Sequence, residues 1–326
     1  MTKKTGLLVL LAALLLFGIV AVTIHVNVVD SKPVLSEQVE VDAECTENPE
    51  AELSEKVAED RNATEQGSMF EFNLVAHALG GIDGYTYLNS KEGFEDSYRR
   101  GMWFIETDLF FSADGKLICS HGFKEADAER MGIEGVTVGN PPEYETWNSM
   151  RFHGKYTTQD AEDILYYLEA YPELYFEFDM RSLKGEDAYR MANALLEVFG
   201  RDEALYRRIL IQVYSPEMYE IFKEVYDFPV MQFYMTKAFV KEIDTYIEYC
   251  QNHEIVSIAI SDAYVTEENF EKLLNSGLKI MVHTVDDPIK AQSYLDRGVA
   301  VICTNHLYYD VDGTLKSKLL EGENKE

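Results

Sequence analysis

Carboxylates two residues apart occur at two places inside apolar runs of the sequence. One pair belongs to the E-T-D segment at 106–108, and the other belongs to the E-F-D segment at 177–179. Side chains two positions apart share a face of an extended strand, so each pair should present its carboxylates together. Buried carboxylates need a compensating cation, and clustered carboxylate oxygens suit hard ions such as Ca²⁺ or Mg²⁺. The candidate ligands of a divalent cation are therefore Glu106, Asp108, Glu177 and Asp179.

Two histidines stand near these pairs at the ends of apolar runs. His77 follows the first apolar run of the folded region, and His121 lies thirteen residues after Asp108. Imidazole titrates near neutral pH, so two histidines can act as general base and general acid. A cation, a base and an acid are the groups that cleave a phosphodiester. We interpret His253 and His306, each of which stands alone, as ordinary surface or core histidines.

The elements that must position these residues alternate between short apolar runs and amphipathic stretches. Apolar strands separated by helices predict a parallel sheet covered by helices, and eight units over about 250 residues fit a (β/α)8 TIM barrel. A doubly wound open sheet is the alternative. The expected strands are Asn73–Ala76, Trp103–Phe111 with Lys116–Ser120 as a hairpin partner, Leu174–Met180, Ile209–Tyr214, Val230–Tyr234, Val256–Ser261, Lys279–Thr284 and Ala300–Thr304. The expected helices are Ala161–Ala170, Ala188–Phe199, Pro216–Val225, Lys237–Gln251, Glu267–Leu274 and Ile289–Leu295.

The charge of the chain argues against one large class of partner. The 326 residues include 29 Lys and Arg against 58 Asp and Glu, which gives a formal net charge of −29. Such a charge repels a phosphate backbone, so we expect no binding to nucleic acid. The four cysteines form no CxxC pair, which argues against a zinc ribbon or a thioredoxin-type site.

The N-terminal region contains an uncharged apolar run, Gly6–Ile24, preceded by Lys3 and Lys4. As a helix, its 19 residues would span roughly 28 Å, close to the thickness of a bilayer core. The run is longer than a usual signal-peptide core and no clear cleavage site follows it, which favours a transmembrane signal anchor over residues 1–29. A cleaved signal peptide is the alternative. We expect a single-pass protein of the cell membrane with an extracytoplasmic catalytic domain, or a secreted protein if the segment is cleaved.

Residues 30–70 carry 12 acidic against three basic side chains and few aromatic ones. A segment of this composition cannot bury enough apolar surface to offset the entropy of ordering. We therefore expect an acidic disordered stalk over residues 30–70 and a TIM-barrel phosphodiesterase domain over residues 71–326.

One long stretch, VAHALGG…YLNSKEGFEDSYRRGMWFIETDLFFSADGKLICSHG, carries a family resemblance. It resembles the start of the glycerophosphodiester phosphodiesterase and phosphatidylinositol-specific phospholipase C-like superfamily, which includes the sphingomyelinase D enzymes. Further on, FDMR, VHTVDD and GVAVICTN resemble three later strand ends of that superfamily. The likeness covers residues 73–310 and implies a TIM barrel with phosphodiesterase activity.

The resemblance also implies roles for single residues. His77 and His121 would form the catalytic acid–base pair, and Glu106 and Asp108 would bind a divalent cation, Ca²⁺ or Mg²⁺.

The third ligand is open between two registers of the FDMR strand. Asp179 would be the ligand if Arg181 stands where the family has Lys, and Arg181 would then contact the substrate. In the other register Glu177 is the ligand and Asp179 takes the place of the Lys.

The sequence departs from the pattern of typical glycerophosphodiester phosphodiesterases at two positions. Where those enzymes have Arg-Gly after the first His and a later Glu-Asn-Thr, this chain has A-L at 78–79 and L-N-S at 88–90. One phosphate contact and one metal ligand are thus missing, which makes the metal set more similar to the sphingomyelinase D and phospholipase-C-like branch. Further polar residues would line the pocket or serve in packing: Lys155, Gln212, Tyr214, Tyr234 and His283.

These patterns predict a membrane-tethered, metal-dependent phosphodiester hydrolase or lyase that uses histidine acid–base catalysis. Its substrate would be a phospholipid headgroup, a glycerophosphodiester or a phosphate-linked envelope polymer. The alternative from another class is a non-catalytic barrel that binds envelope phosphates or polysaccharide. The presence of both histidines favours the enzyme.

Overall fold

The computed structural model describes residues 68–133 and 139–320. In chain order, its strands are β1 (Leu74–Ala76), β2 (Phe104–Phe111), β3 (Leu117–Cys119), β4 (Arg151–Phe152), β5 (Tyr156–Thr157), β6 (Tyr175–Asp179), β7 (Ile209–Val213), β8 (Met231–Met235), β9 (Ser257–Ser261), β10 (Lys279–His283), β11 (Val301–Thr304), β12 (Leu307–Tyr309) and β13 (Leu315–Ser317). Its α-helices are α1 (Lys91–Arg99), α2 (Glu125–Met131), α3 (Tyr144–Ser149), α4 (Ala161–Ala170), α5 (Gly185–Phe199), α6 (Glu203–Tyr206), α7 (Pro216–Val225), α8 (Ile243–Asn252), α9 (Glu267–Leu274) and α10 (Pro288–Asp296).

Eight of the described strands form one closed parallel sheet. Their order around the barrel is β1, β2, β6, β7, β8, β9, β10 and β11, and β11 returns to pair with β1. Strand β3 pairs antiparallel with β2, as the predicted hairpin requires. The predicted (β/α)8 TIM barrel is therefore confirmed, and closure of the sheet excludes the doubly wound alternative.

Side-chain alternation separates the barrel interior from the outer layer. On β2, Phe104 packs inside the barrel with Val75, Leu210 and Met281, whereas Ile105 packs in the cluster that includes the surrounding helices. The next inward positions toward the carboxyl ends of the strands are polar. They include Glu106, Asp108, Glu177, Asp179, Gln212 and Gln232. The apolar lower interior therefore forms the floor of a polar site.

Helix starts follow ordinary capping chemistry. The Ser215 side chain accepts from the Met218 amide at the start of α7, where Pro216 occupies the first turn. The predicted helices at 161–170, 216–225 and 267–274 coincide with α4, α7 and α9. The single helix predicted over 237–251 is instead a 3₁₀ turn followed by α8, because Glu242 leaves helical geometry at φ −123° and ψ 41°.

An insertion between β3 and β6 contributes α2, α3 and the β4–β5 hairpin. It packs on the β2–β3 side of the barrel through a third apolar cluster, here named the satellite cluster. Its buried members are Leu88, Ile118, Phe123, Met131, Trp147, Phe152 and Tyr156.

The predicted transmembrane anchor at 1–29 lies outside the described residues, as does the predicted stalk up to residue 67. Within 68–133 and 139–320, no helix combines the length and the apolar character that crossing a bilayer requires.

Candidate active site

The polar upper layer of the barrel places the carboxylates of two neighbouring strands side by side. In the parallel pairing of β2 with β6, Glu106 lies opposite Glu177 and Asp108 lies opposite Asp179. Ligand oxygens of Glu106, Asp108 and Asp179 all lie within 4.8 Å of one another. One cation can contact oxygens at this spacing, since Ca²⁺ binds oxygen at about 2.3–2.6 Å.

Burial and unmet hydrogen bonding show that these carboxylates fit a cation. Oε1 of Glu106 and Oδ1 of Asp108 are buried and have no hydrogen-bond partner in the described part of the chain. Burial raises the pKa of Glu106, and the charges of Asp108 and Asp179 raise it further. Burial also raises the pKa of Asp108 to about 6. A divalent cation would compensate this concentrated negative charge, so the residues present fit such an ion.

Asp179 and Glu177 differ in depth and in their partners. The Tyr214 hydroxyl donates to the Asp179 carboxylate, 2.7 Å from Oδ2, at the end of β6. Glu177 lies one inward position deeper, where its Oε1 accepts from the Gln232 amide at 2.6 Å. Burial raises the pKa of Glu177 to about 8. Of the two predicted registers, the geometry thus favours Asp179 as the third ligand.

Asn89 is a buried residue that holds one of the carboxylates in place. Its side-chain nitrogen donates to Oδ2 of Asp108 at 2.8 Å, and its Oδ1 accepts from the Asp108 backbone N–H at 3.0 Å. Asp108 is thereby oriented, and its Oδ1 stays available to a cation. Sequence reasoning missed this role, although Asn89 matches the Asn of the family's Glu-Asn-Thr.

The two positions that depart from the family pattern have structural roles. Leu88 is buried in the satellite cluster, where it packs among Trp147, Phe152 and Tyr156. The backbone N–H of Ala78 donates to Oε2 of Glu106 at 2.5 Å.

A chain of hydrogen bonds holds His77 at the end of β1. Its Nδ1 lies 2.8 Å from Oδ1 of Asn305, and the Asn305 amide nitrogen donates to Oδ2 of Asp286 at 2.8 Å. Because that nitrogen faces a carboxylate, the amide oxygen faces His77, and Nδ1 carries the imidazole proton. Nε2, which then carries the lone pair, lies 4.0 Å from Oε2 of Glu106. Burial lowers the pKa of His77, which favours the neutral ring.

His121 follows strand β3 and is held by the next helix. Its Nδ1 lies 2.7 Å from Oδ1 of Asp127, whose Oδ2 accepts from the Lys124 backbone N–H at 3.0 Å. Burial acts to raise the pKa of Asp127, but these hydrogen bonds outweigh it and the pKa is lowered. Asp127 was missed by sequence reasoning because it belongs to a generally acidic helix.

Both histidines contact one aromatic ring, that of Tyr87. The ring centroid of Tyr87 lies 4.4 Å from that of His77 and 4.9 Å from that of His121. His77 and His121, which follow separate strands, are therefore both in contact with Tyr87.

Arg181 and Lys155, the two basic residues predicted to bind substrate, contact other side chains of the protein. Nη2 of Arg181 lies 2.6 Å from Nδ1 of His121 and 3.8 Å from Oδ2 of Asp127. Lys155 lies in the turn between β4 and β5, where it donates to Asp83 at 2.5 Å. In the described structure, these contacts place Arg181 at the site and Lys155 on the neighbouring loop.

The other predicted pocket residues form one wall of the site. Gln212 donates to the Tyr214 hydroxyl at 3.1 Å, and the rings of Tyr214 and Tyr234 stack 4.5 Å apart. Tyr234 in turn contacts the ring of His283 at 5.0 Å. Burial lowers the pKa of His283 to about 3, and among the described residues its Nε2 has no hydrogen-bond partner. This wall is continuous with the carboxylates through the Tyr214–Asp179 hydrogen bond.

Comparisons with solved structures find the same barrel. A glycerophosphodiester phosphodiesterase from Thermotoga maritima is 17% identical, with a TM-score of 0.55 over 74% of this chain and 96% of that chain. One from Parabacteroides distasonis is 16% identical, with a TM-score of 0.55 over 72% of this chain and 92% of that chain. An Oleispira antarctica phosphodiesterase in complex with the product sn-glycerol-3-phosphate is 13% identical, with a TM-score of 0.55 over 72% and 93%. At these identities the likeness supports the fold alone.

Sequence comparisons show which family the chain belongs to. A comparison with curated proteins gives no match. The model of the glycerophosphoryl diester phosphodiesterase family, however, matches residues 81–308, which is well over half of the chain. The chain therefore belongs to the glycerophosphoryl diester phosphodiesterase family, which makes it a phosphoric diester hydrolase.

Proposed function

We propose that the protein cleaves glycerophosphodiesters in a reaction that depends on a divalent cation, with His77 as general base and His121 as general acid. One observation carries the proposal. The two histidines contact the ring of Tyr87, and each has its Nδ1 held by fixed partners, Asn305 for His77, and Asp127 with Arg181 for His121. In both rings Nε2 is therefore the nitrogen that can exchange a proton with the substrate.

His77 is suited to remove a proton. Its Nδ1–H is committed to Asn305, and burial lowers the pKa of His77, so the neutral ring offers the Nε2 lone pair. Nε2 would take the proton of the attacking oxygen, which belongs either to a neighbouring substrate hydroxyl or to water.

His121 is suited to return a proton. Nδ1 lies 2.7 Å from Oδ1 of Asp127 and 2.6 Å from Nη2 of Arg181, so the ring has one fixed orientation. From that orientation Nε2 would protonate the leaving oxygen as its bond to phosphorus breaks.

Glu106, Asp108 and Asp179 would hold the divalent cation, Ca²⁺ or Mg²⁺. When bound, such an ion supplies positive charge that stabilises the phosphoryl oxygens as negative charge develops on them. Asn89 and the Ala78 backbone N–H keep Asp108 and Glu106 oriented for that role.

Family membership and the product-bound Oleispira structure support a glycerophosphodiester as substrate. The same bond occurs in a phospholipid headgroup and in a phosphate-linked envelope polymer, and we include both in the proposal. The missing Glu at position 88 leaves three carboxylates for the metal, as in the sphingomyelinase D and phospholipase-C-like branch.

The test is turnover of sn-glycero-3-phosphocholine by the purified protein, followed by ³¹P NMR. Activity should disappear with EDTA and return with Ca²⁺ or Mg²⁺. His77→Ala and His121→Ala should each lower kcat by about 10²–10⁴-fold. His253→Ala is the matched control, because His253 packs on Tyr249 among the outer helices. Hydrolysis that survives either active-site substitution would contradict the histidine mechanism.

The same spectra decide what attacks phosphorus. Attack by a neighbouring hydroxyl produces a cyclic phosphate, whereas direct attack by water incorporates solvent ¹⁸O in one step. Phosphate binding without turnover of any diester would instead favour the non-catalytic barrel.

We further propose that residues 1–29 anchor the protein in the cell membrane and that the acidic stalk holds the barrel outside the cytoplasm. Support comes from the apolar run Gly6–Ile24 and the two lysines before it. Protease added to intact cells, or to spheroplasts, should release an active fragment. Recovery of a soluble form that already lacks its N-terminus would favour a cleaved signal peptide.

A further inference from the structure

Arg130 places a partly exposed positive charge beside the histidine pair. Its guanidinium carbon lies 4.3 Å from the ring centroid of Tyr87, the ring that contacts both His77 and His121. The Arg130 side chain is 40% exposed, so its cation borders solvent. Arg130 thus contacts the same ring as His77 and His121, the two residues proposed to transfer protons.

Both members of this stack are held in place. Arg130 belongs to α2, and its Nη1 lies 3.7 Å from Oδ1 of Asp127, the partner of His121. Tyr87 precedes the buried Leu88 and Asn89, and Asn89 is bonded to Asp108. The Arg130–Tyr87 stack is therefore linked to His121, the proposed acid, through Asp127. It is linked to the candidate metal ligand Asp108 through the neighbouring Asn89.

A positive charge at the entrance would act together with the proposed divalent cation in attracting an anionic substrate. The protein carries a net charge of −29, and four carboxylates stand in the upper barrel. A phosphodiester anion approaching this site is repelled unless local positive charge meets it. Of the nearby cations in the described structure, Arg181 contacts His121 and Asp127, and Lys155 contacts Asp83. Arg130 also lies 3.7 Å from Asp127, but its side chain is 40% exposed against 27% for Arg181, and it stacks on the ring that contacts both histidines.

We propose that Arg130, stacked on Tyr87, binds the phosphate group of the substrate at the entrance to the site. This inference rests on the proposed function and specifies how its anionic substrate is recognised. A guanidinium presents paired N–H donors that match two phosphate oxygens, and an aromatic face holds its plane in position. The positive charge that is missing at Ala78 is supplied from α2 instead.

The test compares kcat and KM for sn-glycero-3-phosphocholine among the full-length wild type, Arg130→Lys and Arg130→Ala. Arg130→Ala should raise KM about 10- to 100-fold, the effect of losing a hydrogen bond to a charged group. Because the phosphate is charged before and during the reaction, kcat should fall less than kcat/KM. Arg130→Lys should give an intermediate KM, since it keeps the charge but loses the paired donors.

Arg297→Ala is the matched control. Arg297 lies 4.2 Å from the Phe270 ring centroid and 2.7 Å from Glu267, and its side chain is 39% exposed. Like Arg130, it therefore stacks on an aromatic ring and contacts an acidic side chain, but it lies on the outer helices. Its removal should leave KM unchanged.

Two further measurements separate phosphate binding from a structural role. Methylguanidinium added to Arg130→Ala should restore part of the lost kcat/KM, and the inhibition constant of inorganic phosphate should rise by a factor similar to that of KM. The inference is overturned if the wild type turns over substrate and Arg130→Ala keeps its KM and phosphate inhibition within about twofold. A drop in kcat alone would also overturn it, because that pattern indicates a displaced His121. A wild type without turnover would instead overturn the proposed function.

Discussion

The side-chain oxygen of Asn305 lies 2.8 Å from Nδ1 of His77, across a sequence separation of 228 residues. Asn305 follows the last barrel strand and His77 follows the first, so this hydrogen bond joins the two ends of the barrel where β11 pairs with β1. Asp286 holds Asn305 in place, because its carboxylate accepts from the Asn305 backbone N–H at 2.7 Å and from the Asn305 side-chain N–H at 2.8 Å. Closure of the barrel thus directs Nε2 of His77 into the site.

Asn305→Ala should lower kcat about 10- to 100-fold while KM changes little, because the tautomer and orientation of His77 are no longer fixed. Steady-state kinetics on a glycerophosphodiester measure the effect. Asn193→Ala is the control, since Asn193 is exposed on an outer helix and donates to the Tyr189 carbonyl one turn earlier. Equal kinetics for Asn305→Ala and wild type would remove Asn305 from the mechanism.

Asp179→Asn should abolish tight binding of one divalent cation, whereas Glu177→Gln should retain it. Asp179 shares the group of oxygens within 4.8 Å, while Glu177 is bonded to Gln232 below that group. Calorimetric titration with Ca²⁺ and Mg²⁺ distinguishes the two. If Glu177→Gln loses the ion and Asp179→Asn keeps it, the alternative register of the FDMR strand is correct.

Without a cation, the free energy of unfolding should fall as pH rises from about 6.5 to 8. The Glu177 pKa is about 8 in the folded protein, against an ordinary value of 4.5. Between these values the folded state retains a proton that the unfolded state has released, so stability decreases as pH increases. The raised pKa of Glu106 acts in the same direction, and the lowered pKa values of His77 and His283 act in the opposite direction only below their ordinary value of 6.5.

Urea unfolding in EDTA at several pH values tests this slope. Glu177→Gln, which stays neutral, should be more stable than the wild type near pH 8 and should flatten the dependence. Glu197→Gln, on the exposed face of α5, should keep the wild-type slope. Stability that rises toward pH 8 in the metal-free wild type would show that the carboxylates are compensated within the protein.

Leu88→Glu, which introduces the family's residue, should destabilise the fold and add no metal ligand. Leu88 is 1% exposed and packs among the aromatic rings of the satellite cluster. A carboxyl group buried among these rings loses its hydration, which costs at least about 2 kcal/mol. Urea unfolding measures the loss, and Ile289→Glu at an 82% exposed position is the control. Tighter metal binding by a stable Leu88→Glu variant would contradict this account of position 88.

Much of the barrel was predictable because its signals are local. A period of two sets the face of each strand residue, so Glu106 and Asp108 could be assigned to one face from sequence alone. Capping residues such as Ser215 mark helix starts for the same reason. The break at Glu242 was missed because the apolar spacing runs across it unchanged.

The sequence by itself determined the kinds of groups at the strand ends and the order in which the strands carry them. Only the tertiary structure decided which of these groups meet. Parallel pairing of β2 with β6 brings Asp179 to Asp108 and leaves Glu177 one layer deeper, and barrel closure brings Asn305 to His77. Asp127 reaches His121 only because α2 packs back over the hairpin. Local periodicity defines faces, whereas distances between side chains on different strands depend on register and closure, which are properties of the whole barrel.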